Sequence, residues 1–321
     1  MIIYWSGSET GINAYGVDPP VTQSLFVSFF YYRKSTVTLH TVGQLASIAE
    51  PLTKRGWRVV DSGAFTYLAA AGIGIHREKG TKQQIKTEGF DKYLLGYLEW
   101  LRRTERYWDF FVELDLQEIE GIGRGRVDKW RQQIIDAGMW HRCIPVLHKS
   151  ESQAEMQETI ELCKAGSRYI AIEGPTGAGS VYPYDYRPLL KQFWHEKLLP
   201  HVFGCTKPAM ADKFPIFSLD ASSANAAVQY GKGCVFDAKT GKMRWYVLSA
   251  QNLRKAGIPD YMNKDARDSE TYKRKFEHQL DQYAAYEKYY TKLWGQRGII
   301  WDDHIEAVSD AANRPIHPRA G

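Results

Sequence analysis

The sequence predicts an α/β protein, a (β/α)8 TIM barrel that carries a C-terminal helical extension. Three observations predict it: eight short apolar or β-branched runs up to Asp220, stretches of helical period between most of them, and one long aromatic-striped segment beyond them.

The runs are Ile2–Trp5, Leu25–Tyr32, Arg58–Asp61, Phe110–Asp115, Cys143–His148, Tyr169–Glu173, His201–Gly204 and Ile216–Asp220. Between them, Gln44–Leu52, Ile85–Arg103, Val127–Ala137 and Gln153–Ala165 repeat apolar residues at three- and four-residue spacing. Gly138 and Gly166 stand where two of these helices should stop. The first connection, Gly7–Gln23, holds Pro19-Pro20 and is too irregular for a helix, so the first βα unit is expected to be degenerate. Past the eighth run, Lys242–Leu248 reads as an extra strand and Ala250–Gly257 as a short helix. Asp268–Trp294 reads as one long helix whose stripe is Tyr272, Phe276, Leu280, Tyr283, Tyr286, Tyr290 and Leu293. That stripe is expected to pack inward; the sharper alternative has Lys273-Arg274-Lys275 and Tyr289–Lys292 touching a nucleic-acid backbone. The barrel is drawn as residues 1–240 and the extension as 241–321, with a loosely held tail from Asn313.

Composition narrows the function classes. A chain of 321 residues with 44% hydrophobic residues can fill a core. The formal charge of +5 permits a polyanionic partner without requiring one. Cys143, Cys163, Cys205 and Cys234 are too widely spaced for a zinc knuckle or a disulfide framework, which points to reduced thiols in a cytoplasmic protein. Met1–Trp5 is too short for a signal peptide, and no apolar run reaches bilayer length, so no membrane partner is expected.

The polar residues that end the runs carry the functional argument. Asp61 ends the third, Glu113 and Asp115 the fourth, His148 the fifth, Glu173-Gly174 the sixth and Asp220 the eighth. In a (β/α)8 barrel these positions converge on the C-terminal mouth, where active sites are built. One acid there is explained by capping, since Ser222 or Ser223 after Asp220 suits a helix start. Several buried acids cost several kcal/mol unless they bind or react with something. Two chemistries want them: a divalent metal held by Asp, Glu and His, or glycosyl transfer using one carboxylate as nucleophile and another for the proton.

Five segments resemble the tRNA-guanine transglycosylases. Asp61-Ser62-Gly63-Ala64-Phe65 resembles their Asp-Ser-Gly-Gly-Phe motif, and Thr87-Glu88-Gly89-Phe90 resembles the segment that follows it. Phe111–Asp115 resembles the strand whose Asp reads the guanine edge, and Ile170–Gly174 the strand ending in Gly-Gly. Phe217–Ser222 falls where the family keeps its nucleophilic Asp. Order and spacing agree across roughly Ile2 to Ala226. Three features depart. The Cys-x-Cys-x-x-Cys…His zinc site expected after the eighth strand is reduced to Cys234, so no metal or cofactor is expected; a strand-five Gln becomes His148; and Gly-Gly becomes Glu173-Gly174. Phe214–Ser223 is more similar to the DNA-modifying branch of phages and bacterial modification clusters, which exchanges guanine in DNA for a 7-deazaguanine of the preQ0 or archaeosine type.

The resemblance implies Asp220 as the nucleophile on C1′ and Asp61 as the general acid/base. It also implies Ser62, Asp115, His148 and the Gly174 backbone as the base pocket. Arg124, Arg126, Lys129 and Arg131 beside the strand-four loop are the candidates for phosphate contact, with a solvated helix face as the alternative. The implied partners are DNA and a free 7-deazaguanine base; a homodimer is left open. Three alternatives stand: the same chemistry on tRNA or other RNA, a barrel metallohydrolase using Asp61, Asp115, His148 and Asp220 as ligands, and a nucleic-acid-binding barrel without turnover.

Overall fold

The structure, a computed structural model, describes residues 1–6, 24–32, 57–64, 67, 88–116, 122–174, 185–205, 207–221, 231–247, 249–256 and 268–313. Expectations for Gln44–Leu52, Gly7–Gln23, Phe65, Thr87 and the Ser222-Ser223 cap lie outside these residues.

All eight expected runs contain strand. They are β1 (Ile2–Ser6), β2 (Ser24–Ser28), β3 (Arg58–Asp61), β4 (Phe110–Val112), β5 (Cys143–Ile144) with β6 (Val146–Leu147), β7 (Tyr169–Ile172), β8 (Leu199–Val202) and β9 (Ser218–Ala221). Pro145 divides the fifth run into β5 and β6 because it has no N–H to give to a ladder. The nine strands form one sheet in the order β5-β4-β3-β2-β1-β9-β8-β7-β6. With β5 and β6 as halves of a single run, this is the strand order of a (β/α)8 barrel, followed by a helical C-terminal region.

The chain divides into two compact units. One comprises residues 1–27, 52–56 and 172–305, the other 28–51, 57–171 and 306–321.

In the first unit β1 pairs in parallel with β9, Tyr4 opposite Asp220, and β8 pairs with β9, His201 opposite Ser218. A hairpin follows: β10 (Lys232–Asp237), which the sequence reading missed, pairs antiparallel with β11 (Lys242–Val247). The 240/241 boundary drawn from sequence falls in this hairpin's turn. The long helix spans Ser269–Gln296, and Asp268 caps it by accepting the Thr271 N–H at 2.8 Å. Its stripe packs inward, with Phe276, Leu280, Tyr283, Tyr286 and Tyr290 all buried. Its polar side chains also close the free edge of β10. Gln279 accepts the Cys234 N–H and Gln282 the Phe236 N–H, each at 3.0 Å, so the edge donors are satisfied without a third strand. Tyr290 donates its hydroxyl to the Gly241 carbonyl at 3.0 Å. Tyr290 and Lys275 are buried, which removes both as contacts to a nucleic-acid backbone.

In the second unit β3 pairs with β4 and β4 with β5, all parallel. The expected strand to Tyr32 ends at Ser28 and turns into a short helix, Phe29–Tyr32. The cause is Phe29, whose ring packs 5.3 Å from Tyr93 and 5.0 Å from Tyr97 on the Glu88–Arg103 helix. The Gln153–Ala165 helix begins in a full capping box, Ser152 with Glu155.

Candidate active site

The residues singled out from the sequence fall into two groups, one in each unit. In the second unit the group is Asp61, Ser62, Asp115 and His148. Asp61 is the last residue of β3, and two tyrosines one helical turn apart hold the backbone around it. Tyr93 donates to the Ser62 carbonyl at 2.6 Å, and Tyr97 lies 3.1 Å from the Val60 carbonyl and 3.0 Å from that of Val112. Burial, and then the charge of Asp61, push the Tyr97 phenol well above its ordinary pKa, so it remains a neutral donor. Gly63 completes the turn at φ +70, in the left-handed region. A Cβ there would meet the Phe30 Cβ at 2.6 Å and the Phe30 nitrogen at 2.9 Å. The Asp-Ser-Gly turn therefore needs its glycine, and it presents Asp61 from a rigid frame.

Asp115 and His148 are brought together. His148 Nε2 bonds Asp115 Oδ1, with His148 buried and Asp115 partly exposed. The imidazole fixes the carboxylate's orientation. Glu113 points elsewhere and belongs to the packing. It takes a bidentate bond from Arg131, Nε to Oε2 and Nη2 to Oε1, both 2.7 Å.

That pairing corrects one expectation. Arg131 is a buried structural residue and is unavailable to phosphates. Burial opposes its charge, but Glu113 outweighs it and holds the guanidinium above its ordinary pKa. Arg124 is also committed to neighbours, at 2.8 Å from Asp128 and 3.0 Å from Glu151, and Arg126 pairs with Asp91. Lys129 is the exposed member of the set.

In the first unit the group is Gly174 and Asp220. Gly174 is a close-approach glycine, since a Cβ there would run into the Phe203 carbonyl. Asp220 lies within β9 and is only 8% exposed. Its Oδ1 accepts the backbone N–H of Gly204, a residue at φ +57 just past β8. His201 was not singled out from the sequence, yet its Nε2 stands 3.6 Å from the same oxygen. Its Nδ1 is 3.0 Å from Ser218 Oγ. The imidazole stacks on Phe26 at 5.6 Å and meets the rings of Tyr4 and Phe203 edge-on at 5.7 and 4.8 Å. The missed signal was the period of two: Ser218 and Asp220 share a strand face, and His201 faces Ser218 in register.

Cys234 is buried, its thiol lies 2.9 Å from Gln279 Oε1, and burial pushes its pKa up to about 12, so it is no thiolate donor. All four cysteines are free and buried. Among the described residues, no group of three or more His, Cys, Asp or Glu side chains is arranged to hold a metal ion. No described helix is long and apolar enough to cross a membrane.

No protein-family model matches the sequence, and no curated protein matches it. Among solved structures it is similar to the carboxyl transferase domain of Rhizobium etli pyruvate carboxylase, solved with pyruvate. The identity is 15% and the TM-score 0.43, over 89% of this chain and 48% of that one. This chain thus spans about half the length of that structure, and a likeness of that size bears on neither activity nor substrate.

Proposed function

We propose that the protein is a base-exchange transglycosylase that replaces guanine in DNA with a 7-deazaguanine through a covalent Asp220–glycosyl intermediate. The observation that carries this reading is the setting of Asp220. A carboxylate held by a backbone N–H and only 8% exposed is oriented and largely shielded from water, as suits a nucleophile toward C1′. The motif order supplies the rest: Asp61 carries the proton, and Asp115, braced by His148, accepts from the guanine edge. Ser62 and Gly174 complete the base pocket in this reading.

In the first step the C1′–Oδ bond forms as C1′–N9 breaks. The departing guanine takes the electron pair and a proton from Asp61. The incoming 7-deazaguanine then gives its N9 proton to the Asp61 carboxylate and attacks C1′ through N9, and the C1′–Oδ bond breaks to free Asp220. A duplex guanine has to leave the stack to be reached, at a cost of a few kcal/mol, so single-stranded or flipped DNA is the substrate form. Free buried thiols suit a cytoplasmic protein. The test is incubation with labelled guanine and, separately, single-stranded DNA, duplex DNA and tRNA, followed by nucleoside mass spectrometry of DNA from expressing cells. Label entering DNA and a deazaguanine deoxynucleoside support the reading. Label entering tRNA alone moves the activity to RNA, and no incorporation into either polymer removes it.

A further inference from the structure

We propose that His201, aligned by Ser218, is a positioning residue that fixes which oxygen of Asp220 attacks. The proposal rests on the reading of Asp220 as the nucleophile.

His201 is 1% exposed and Ser218 fully buried, so water does not compete for either polar group. In the proposed arrangement the Ser218 hydroxyl, 3.0 Å from Nδ1, donates its hydrogen to that nitrogen, which puts the imidazole proton on Nε2. Nε2–H then faces Asp220 Oδ1 at 3.6 Å, longer than a hydrogen bond and short enough to tighten with a small shift. Gly204 N–H already holds that same oxygen. Two N–H groups on Oδ1 leave Oδ2 to bond C1′, and Oδ1 becomes the carbonyl oxygen of the glycosyl ester. The stack on Phe26 and the edges of Tyr4 and Phe203 hold the ring plane. Of these three, Tyr4 is the ionisable one.

The arrangement has a consequence that plain packing lacks. Donors on Oδ1 stabilise the free carboxylate more than the ester, because the ester oxygen carries less charge. Losing one donor therefore slows the departure of Asp220 in the second half-reaction and moves the resting equilibrium toward the adduct, while the first half-reaction slows through the lost orientation of the carboxylate.

The test uses the full chain and a guanine-containing single-stranded oligodeoxynucleotide, with adduct read on denaturing gels. His201→Phe keeps the ring and loses the N–H; His201→Gln keeps an N–H near Nε2 and loses the ring. His201→Phe is expected to slow adduct formation roughly 10- to 100-fold with KM little changed, while the adduct fraction at equilibrium rises several-fold. His201→Gln is expected to restore most of the rate. In 15N spectra, wild-type His201 is expected to be the Nε2–H tautomer and Ser218→Ala to mix the two forms. An Nδ1–H tautomer in the wild type, or equal losses in both His201 variants with no rise in adduct, overturns the proposal. A wild type that forms no adduct with DNA or RNA overturns the reading of Asp220 instead, and the tautomer measurement still reports the Ser218–His201 alignment.

Discussion

Arg131 and Glu113 form a buried bidentate ion pair, each side chain only 2–3% exposed. Glu113 Oε1 also accepts the Val146 N–H at 2.6 Å, and Arg131 Nη1 donates to Thr159 Oγ1 at 2.9 Å. One pair thus ties the end of β4, the strand after Pro145 and two helices together. Arg131→Met strands a buried carboxylate and is expected to cost about 3–5 kcal/mol in chemical denaturation. Adding Glu113→Gln removes the stranded charge while keeping an acceptor for Val146, and should recover more than half of that loss. Nucleic-acid affinity of the folded fraction should not change, because this guanidinium is out of reach.

Asp220→Asn should keep the far-ultraviolet circular dichroism of the wild type and reduce base exchange to background, a loss on the order of 10³-fold or more. No adduct should appear on denaturing gels. Full exchange by this variant would sink the assignment of the nucleophile.

Asp115→Asn keeps the size of the side chain and loses its charge toward the guanine edge. KM for the free base is expected to rise roughly 10- to 100-fold with kcat changed by a few-fold at most, as steady-state kinetics would show. An unchanged KM would mean that the Asp115–His148 pair serves the fold alone.

Gly63→Ala places a Cβ where Phe30 already sits, at a φ of +70. The expected cost is about 1–3 kcal/mol, read as a lowered Tm, with exchange activity falling as Asp61 shifts.

Glu287 on the long helix accepts the Ile3 N–H at 2.8 Å, and burial pushes its pKa up to about 7. An acid whose folded pKa is raised contributes stability below its unfolded value, near 4.5, and that contribution is lost as pH rises through 7. Tm of the wild type should therefore fall between those limits, by an amount equivalent to a few kcal/mol. Glu287→Gln should show a flatter profile over the same window. A parallel decline in both proteins would assign the pH dependence to other groups.

Local pattern was enough where an element buries a face that repeats in sequence. The eight runs and the inward aromatic stripe of the long helix were legible for that reason. Short pieces were not. Arg187–His195 is nine residues with a proline in its first turn, a position a helix tolerates but one that reads as a break. β10 is half-exposed, and its edge is satisfied by glutamines from a distant helix, so nothing near it in sequence marks it as a strand.

The sequence by itself determined the α/β class, the order of the strands and which acids end them, because alternation and helical period are local and each strand end carries its own residue. It also set the Asp-Ser-Gly turn, since only glycine takes that φ beside Phe30. Tertiary structure alone decided how the charges were used. Arg131 reads as a surface cation until Glu113, eighteen residues away, is seen to bury it. His201 reads as a strand residue until strand register sets it against Ser218, seventeen residues on, and within reach of Asp220. Pairings between side chains so far apart in the chain leave no periodic trace. They exist only once the strands that carry them have been aligned.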